Sequence, residues 1–307
     1  MTEHIPQRRL SLQSWGLLLL LALIWCGSFT ANHAALAQMP VASVVAFRVS
    51  VAAALLWAYV AATGLPVPKD WRFARNAAVM GVFNNIVPFS LIVWGQTHIP
   101  SGLAGILNAS TALSSVLVAS AVFPDERLGL RRLTGVILGL AGVALVIGPQ
   151  VLTHLDLTSL GQLAVLGAAL SYAVSGAWGR HTMQGIRPEV SAAAMLTASA
   201  LIMLPAAWVL DGAPPFPTPQ SWAALLYLAI MASAVAYRLF YTILQQAGAG
   251  NIGLATLLIA PVAVLLGTLF FHETLPPQAF SGLALLTLGL IVIDGRPLHW
   301  ITTRFST

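Results

Sequence analysis

Charge is what this 307-residue chain has least of: Asp, Glu, Lys and Arg together make up 7% of it, against roughly 25% in a soluble domain. There is a single lysine, Lys69. Those shortages exclude an ordinary soluble globular enzyme and a disordered chain. A formal net charge of +5 would suit a nucleic-acid partner, but the basic residues are spread thinly between long apolar runs, so none is expected. The one cysteine, Cys26, excludes disulfide frameworks and cysteine metal clusters, and no cofactor is expected. What is present instead is apolar residues, 58% of the chain. This is the composition of a membrane protein.

A helix needs about 20 mostly apolar residues to cross the hydrocarbon. Cutting the chain at its Pro, Gly and charged breaks leaves ten such segments, at 14–36, 40–63, 73–97, 101–123, 130–148, 158–180, 189–210, 220–245, 251–271 and 277–294. Period-two alternation is missing, which argues against a β-barrel. The links are too short to hold a soluble domain. The fold class that follows is an all-α polytopic membrane protein of ten transmembrane helices, because lipid leaves few other ways to satisfy the backbone.

Basic residues set the orientation. Arg8, Arg9, Lys69, Arg72, Arg75, Arg127, Arg131, Arg132, Arg180, Arg187, Arg296 and Arg304 share one side, and the links around Gln38, Ile99, Thr153, Asp211 and Glu273 hold none. By the positive-inside rule both termini are cytoplasmic. Arg8-Arg9, the run Leu17 to Ile24 and Ala35-Leu36-Ala37 imitate a signal peptide. The first span is nevertheless read as retained, because it has a counterpart later in the chain.

That counterpart comes from an internal duplication. At an offset of 147 residues, the separation of Glu126 and Glu273, Ser28 meets Ser175, Phe123 meets Phe270, Gly135 meets Gly282, Gly142 meets Gly289 and Gly148 meets Gly295. Each unit holds five spans, and an odd number makes the second enter the membrane from the opposite face. The expected organisation is a cytoplasmic tail (1–13), a first five-helix repeat (14–148), an outward linker (149–157), a second, inverted repeat (158–295) and a cytoplasmic tail (296–307). Inverted repeats are the architecture of secondary transporters, with the substrate near the midplane where the repeats meet. Gly135, Gly139 and Gly142 predict close packing of span five, against span ten through Gly282 and Gly289 or against a second chain. Monomer and homodimer therefore both stay open.

Phe83-Asn84-Asn85-Ile86-Val87-Pro88-Phe89, Trp94-Gly95-Gln96-Thr97-His98-Ile99-Pro100-Ser101-Gly102 and Leu107-Asn108-Ala109 are distinctive. So are Asp125-Glu126-Arg127-Leu128 with Gly135 and Gly142, and Glu273-Thr274-Leu275 with Gly282 and Gly289. With these motifs the chain resembles the EamA-type members of the drug/metabolite transporter superfamily over about residues 14–295. Within that group it is similar to the bacterial aromatic amino-acid exporters. The resemblance implies a multi-pass protein of the bacterial inner (plasma) membrane that exports a small-molecule substrate by alternating access. The halves differ where Pro261 stands opposite Ser114.

Polar side chains in hydrocarbon need a partner or a wet cavity. In span three, Pro88 cannot donate to the carbonyl of Asn84, four residues back. The freed carbonyl beside Asn84 and Asn85 fits either a zwitterion site or an interhelical clamp. Pro261 repeats the device in span nine, as a gating kink or a structural one. Asn108 heads a stripe with Thr111 and Ser115 that serves packing or solute. The inner aromatics Trp25, Tyr172, Trp178, Tyr237 and Tyr241, with Ser28 and Ser175, are candidates to wall the cavity. Arg48, inside span two, has no mid-span carboxylate to pair with, so it must use carbonyls, snorkel outward or face the aqueous path. Arg238 is a candidate anchor for a substrate carboxylate, with the cytoplasmic boundary as its plain alternative. All nine acidic residues fall at or beyond span ends. With His33 and His98 as the titrating substitutes, the expectation is facilitated or weakly coupled export. Amino acids, aromatic or otherwise neutral, fit this set best. Another metabolite or drug is the alternative, and an intramembrane enzyme or a channel the remote one.

Overall fold

The computed structural model describes residues 12–123, 129–147, 157–247 and 274–294, with the isolated positions 259, 262, 266, 269, 270 and 272. Apart from those isolated positions the ninth expected span, with its Pro261, lies outside the described residues, as do Glu126, Glu273 and the side chain of Tyr241. The helices are α1 (Leu12–Leu36), α2 (Val41–Thr63), α3 (Trp71–Gly95), α4 (Ser101–Val122), α5 (Leu130–Ile147), α6 (Leu157–Thr182) and α7 (Pro188–Asp211). They are followed by α8, built from Pro219–Leu226, Tyr227–Val235 and Ala236–Ala247, and by α9 (Pro277–Asp294). Among the described residues seven helices are long and apolar enough to span a membrane.

Their ends follow from local chemistry. Asp70 caps α3 by accepting the backbone N–H of Phe73 at 2.9 Å. Gly64 closes α2 at φ +62, a left-handed conformation that a Cβ would strain. Apolar residues cover these helices all round, so both core and surface are greasy. On α7, Met195, Leu196 and Met203 are buried, while Leu201, Leu204 and Trp208 stand exposed.

Two helix pairs dominate the packing, α2 with α7 and α5 with α9. Both run antiparallel. In the first, the Ser43 N–H and hydroxyl donate to Asp211 Oδ2 at 2.7 and 2.8 Å, and Trp57 Nε1 donates to Thr197 Oγ1 at 2.7 Å. In the second, a Cβ on Gly135 would lie 2.7 Å from the Gly289 carbonyl oxygen, and one on Gly282 the same distance from that of Gly142. The offset of 147 turns Gly135 into Gly282 and Gly142 into Gly289, so the two contacts are exchanged by the duplication. The same exchange relates α3 against α6 to α8 against α1, and α3 against α7 to α8 against α2.

Two helices depart from α geometry. In α3 the stretch Val82–Ile86 is π-helical, and the Val87 N–H donates to the Val82 carbonyl, five residues back. In α8 the stretch Tyr227–Val235 is π-helical, and the Ala236 N–H donates to the Met231 carbonyl, also five back. Shifted by 147, residues 82–86 become 229–233, which lie inside that second stretch. Span four, expected over 101–123, runs over Ser101–Val122 with a two-residue turn at Ala109–Ser110, where the Ser110 and Thr111 hydroxyls donate to the carbonyls of Leu107 and Asn108 at 2.6 and 2.7 Å.

Candidate functional site

The wide turn of α3 brings Asn84 and Asn85 to the centre of a hydrogen-bonded chain shared by four helices. From α6, the Ser175 hydroxyl donates to Asn84 Oδ1 at 3.2 Å. Asn84 Nδ2 donates to the Tyr237 hydroxyl of α8 at 2.8 Å and approaches Met195 Sδ of α7 at 3.8 Å. That hydroxyl in turn donates to Asn85 Oδ1 at 2.9 Å. Asn85 Nδ2 donates to Ser199 Oγ of α7 at 3.1 Å. Asn85 and Ser199 are fully buried, whereas Asn84 is half-buried. Amides suit such a place because each side chain both donates and accepts, so the chain can re-pair around an ammonium or a carboxylate.

The π register also corrects the expected role of Pro88. Counting four residues back points to the Asn84 carbonyl, but within a π turn the partner lies five back. The carbonyl deprived by Pro88 is therefore that of Phe83, and the Ser171 hydroxyl of α6 donates to it at 2.7 Å. At the start of each wide turn a second hydroxyl does similar service. Ser199 divides its one proton between the Gly81 carbonyl at 3.1 Å and the Met195 carbonyl at 2.8 Å, and Ser233 donates to the Leu228 carbonyl at 2.9 Å. Gly81 and Leu228 are 147 residues apart, so the two repeats satisfy matched carbonyls with different serines.

Arg48 lies beside this chain. Its Nε donates to Ser233 Oγ at 2.9 Å, its Nη2 to the Ala232 carbonyl at 3.3 Å, and its guanidinium carbon sits 3.7 Å from the Phe89 ring centre. Of the three courses open to it, it takes carbonyl and hydroxyl partners inside the bundle.

The other expected residues fall around this centre or away from it. Tyr172 packs between the two larger core clusters. Trp25 meets Phe240 with ring centres 6.0 Å apart, and its carbonyl accepts from the Ser28 hydroxyl. Asn108 Oδ1 is buried with no hydrogen-bond partner among the described residues. Trp178 is 37% exposed and makes none of the hydrogen bonds of the chain described above. Arg238 is exposed, its guanidinium 4.4 Å from the Tyr59 ring centre. His33 is exposed, and His98 stacks on Trp94 at 4.7 Å beyond the end of α3. A recess of about 270 Å³ between α4 and α6 is lined by Ser115, Ala119, Phe123, Ala173, Ala177 and Arg180, among others.

Sequence reasoning missed Ser171, Ser199 and Met195. Nothing in composition or spacing marks them off from the other small or apolar residues of their helices.

The family model for EamA-like transporters matches the chain twice, over residues 14–148 and 159–294. This chain belongs to the EamA-like transporter family. It is a multi-pass membrane protein of a transporter family, not of an enzyme family. It is 24% identical over 300 residues to the uncharacterized transporter YvbV of Bacillus subtilis (strain 168), covering 96% of this chain and 94% of that protein. It is 26% identical over 294 residues to a probable terminal-alkyne amino-acid exporter of Streptantibioticus cattleyicolor, covering 94% and 96%. A crystal structure 20% identical in sequence superposes with a TM-score of 0.66 over 92% of this chain and 97% of the other, which shows a shared fold.

Proposed function

We propose that this chain exports neutral, chiefly aromatic, amino acids by alternating access at a cavity between two inverted five-helix repeats, with both termini on the cytoplasmic side of a bacterial inner membrane. The observation that carries this reading is the Ser175–Asn84–Tyr237–Asn85–Ser199 chain, which links helices of both repeats beside a wide turn in each. Irregular backbone at membrane depth is expected where it lines a cavity. The exchanged contacts of α5 with α9, and of α2 with α7, support the inversion. The name of the Streptantibioticus relative supports an amino-acid cargo.

Counterflow in proteoliposomes with a panel of amino acids tests the cargo. Wild type is expected to exchange neutral and aromatic amino acids, and Asn84→Ala and Asn85→Ala to lose most of that exchange. Trp178→Ala is expected to alter the preference for aromatic side chains. No amino-acid flux in wild type would sink the cargo, and normal flux in all three variants would sink the site. Tags beside Arg131 and near Glu273 are expected on opposite faces of the membrane. Finding them on one face would end the inverted arrangement.

A further inference from the structure

Among the described residues Arg48 is the one buried charged side chain, 6% exposed. No carboxylate pairs with it among them, and the sequence places every acid at or beyond a span end. Of its five N–H donors, the described residues engage Nε and one on Nη2, both with neutral acceptors. Isolated charges are expensive away from water, and neutral acceptors offset only part of that.

The duplication shows that the fold does not need this charge. The position matched to Arg48 is Met195, 147 residues on. Arg48 reaches from α2 to the wide turn of α8, and Met195 reaches from α7 to Asn84 in the wide turn of α3. A neutral, unbranched side chain thus does the equivalent packing in the second repeat. The cation is an addition made in one repeat only.

Its position is also telling. Ser233, which binds Arg48, precedes Tyr237 by one helical turn, and Phe89, which it stacks on, follows Asn85 by one turn. The guanidinium therefore sits a turn from the Tyr237–Asn85 hydrogen bond. Arg238 is exposed against Tyr59 and is not in this group.

We infer that Arg48 anchors the carboxylate of the transported solute, binding it with the donors left free by Ser233 and Ala232 while the asparagine–tyrosine chain takes the rest of the molecule. This rests on the transport reading but is separable from it. A guanidinium presents paired donors to a carboxylate in a planar fork, which an amide or an amine cannot use in the same way. Solutes bearing a carboxylate are therefore preferred over their amides, and amines without one are excluded.

The test uses the full-length protein in detergent and in liposomes, with phenylalanine, phenylalaninamide and phenethylamine as probes. Thermal stabilisation reports binding and counterflow reports transport. Wild type is expected to bind phenylalanine at least about tenfold more tightly than its amide. R48K should keep a weakened preference, and R48Q and R48M should lose it while remaining monodisperse. A folded R48Q or R48M that retains the preference overturns the inference, as does a wild type that does not distinguish acid from amide. If binding discriminates through Arg48 without flux, the transport reading fails and the anchor stands. If amino acids are carried without discrimination, the reverse holds.

Discussion

The Tyr237 hydroxyl donates to Asn85 Oδ1 at 2.9 Å while accepting from Asn84 Nδ2 at 2.8 Å, so one phenol on α8 holds both asparagines of α3. Tyr237→Phe keeps the ring and removes both bonds. Asn85 is fully buried and would lose the donor to its carbonyl, a loss of about 1–3 kcal/mol. A lower thermal unfolding midpoint of the purified variant is expected, with counterflow reduced more than protein yield. Unchanged stability and flux would show that the chain is not a working part.

The seam between α5 and α9 tolerates no added carbon. A Cβ on Gly142 would lie 2.4 Å from the Leu286 backbone nitrogen and 2.8 Å from the Gly282 carbonyl oxygen. Both neighbours are backbone, so neither can swing aside. Gly142→Ala is expected to destabilise by about 1–3 kcal/mol, read as loss of the monodisperse peak after mild heating. Gly16→Ala is the control, since a Cβ there would meet nothing within 4 Å, and it should behave as wild type.

Pro88 denies the Phe83 carbonyl its backbone partner, and the Ser171 hydroxyl supplies one in its place. Ser171→Ala alone strands that carbonyl. Pro88→Ala supplies a backbone N–H that can reach it in the π register. The double variant should therefore be less destabilised than the sum of the two single ones, by about 1 kcal/mol. A double-mutant cycle of thermal unfolding measures this, and strict additivity would refute the link through that carbonyl. The wide turn itself should survive Pro88→Ala, because the matched position in α8 is Val235 and that turn is wide without proline.

No acid occupies the middle of a span, and His33 and His98 stand at or beyond helix ends rather than beside Asn84 and Asn85. A buried proton relay would need such a group. An imposed pH gradient, with no solute gradient, is therefore expected to drive no uphill accumulation in proteoliposomes. Accumulation that a protonophore abolishes would reverse this expectation.

Much of the framework was legible in the sequence because it depends on spacing. The offset of 147 and the glycines at 135, 142, 282 and 289 pointed to a tight helix pair, and the structure places those glycines against one another. Asn84 and Asn85 were marked as polar groups in lipid and Tyr237 and Ser175 as candidates to wall a cavity, and the four meet. The wide turns were not legible, because a shift from four to five residues in backbone pairing leaves no trace in composition. Proline marks one turn and is missing from the other, and counting by α geometry named the wrong carbonyl. Arg48 and Arg238 looked alike as embedded cations. Which of them is buried depends on helix rotation and on Ser233, 185 residues from Arg48 in the chain.

The wide turns also determine how this protein responds to changes in length. A π turn stores a surplus residue without breaking the rod. Removing one residue there restores ordinary pitch and leaves everything downstream close to its present orientation, whereas a deletion in an α-helical stretch swings it by about 100°. A deletion within Tyr227–Val235 would therefore keep Tyr237 facing the asparagines and leave an apolar helix able to cross lipid. At these two places the bundle can absorb a single-codon deletion that a regular stretch of the same helices would not.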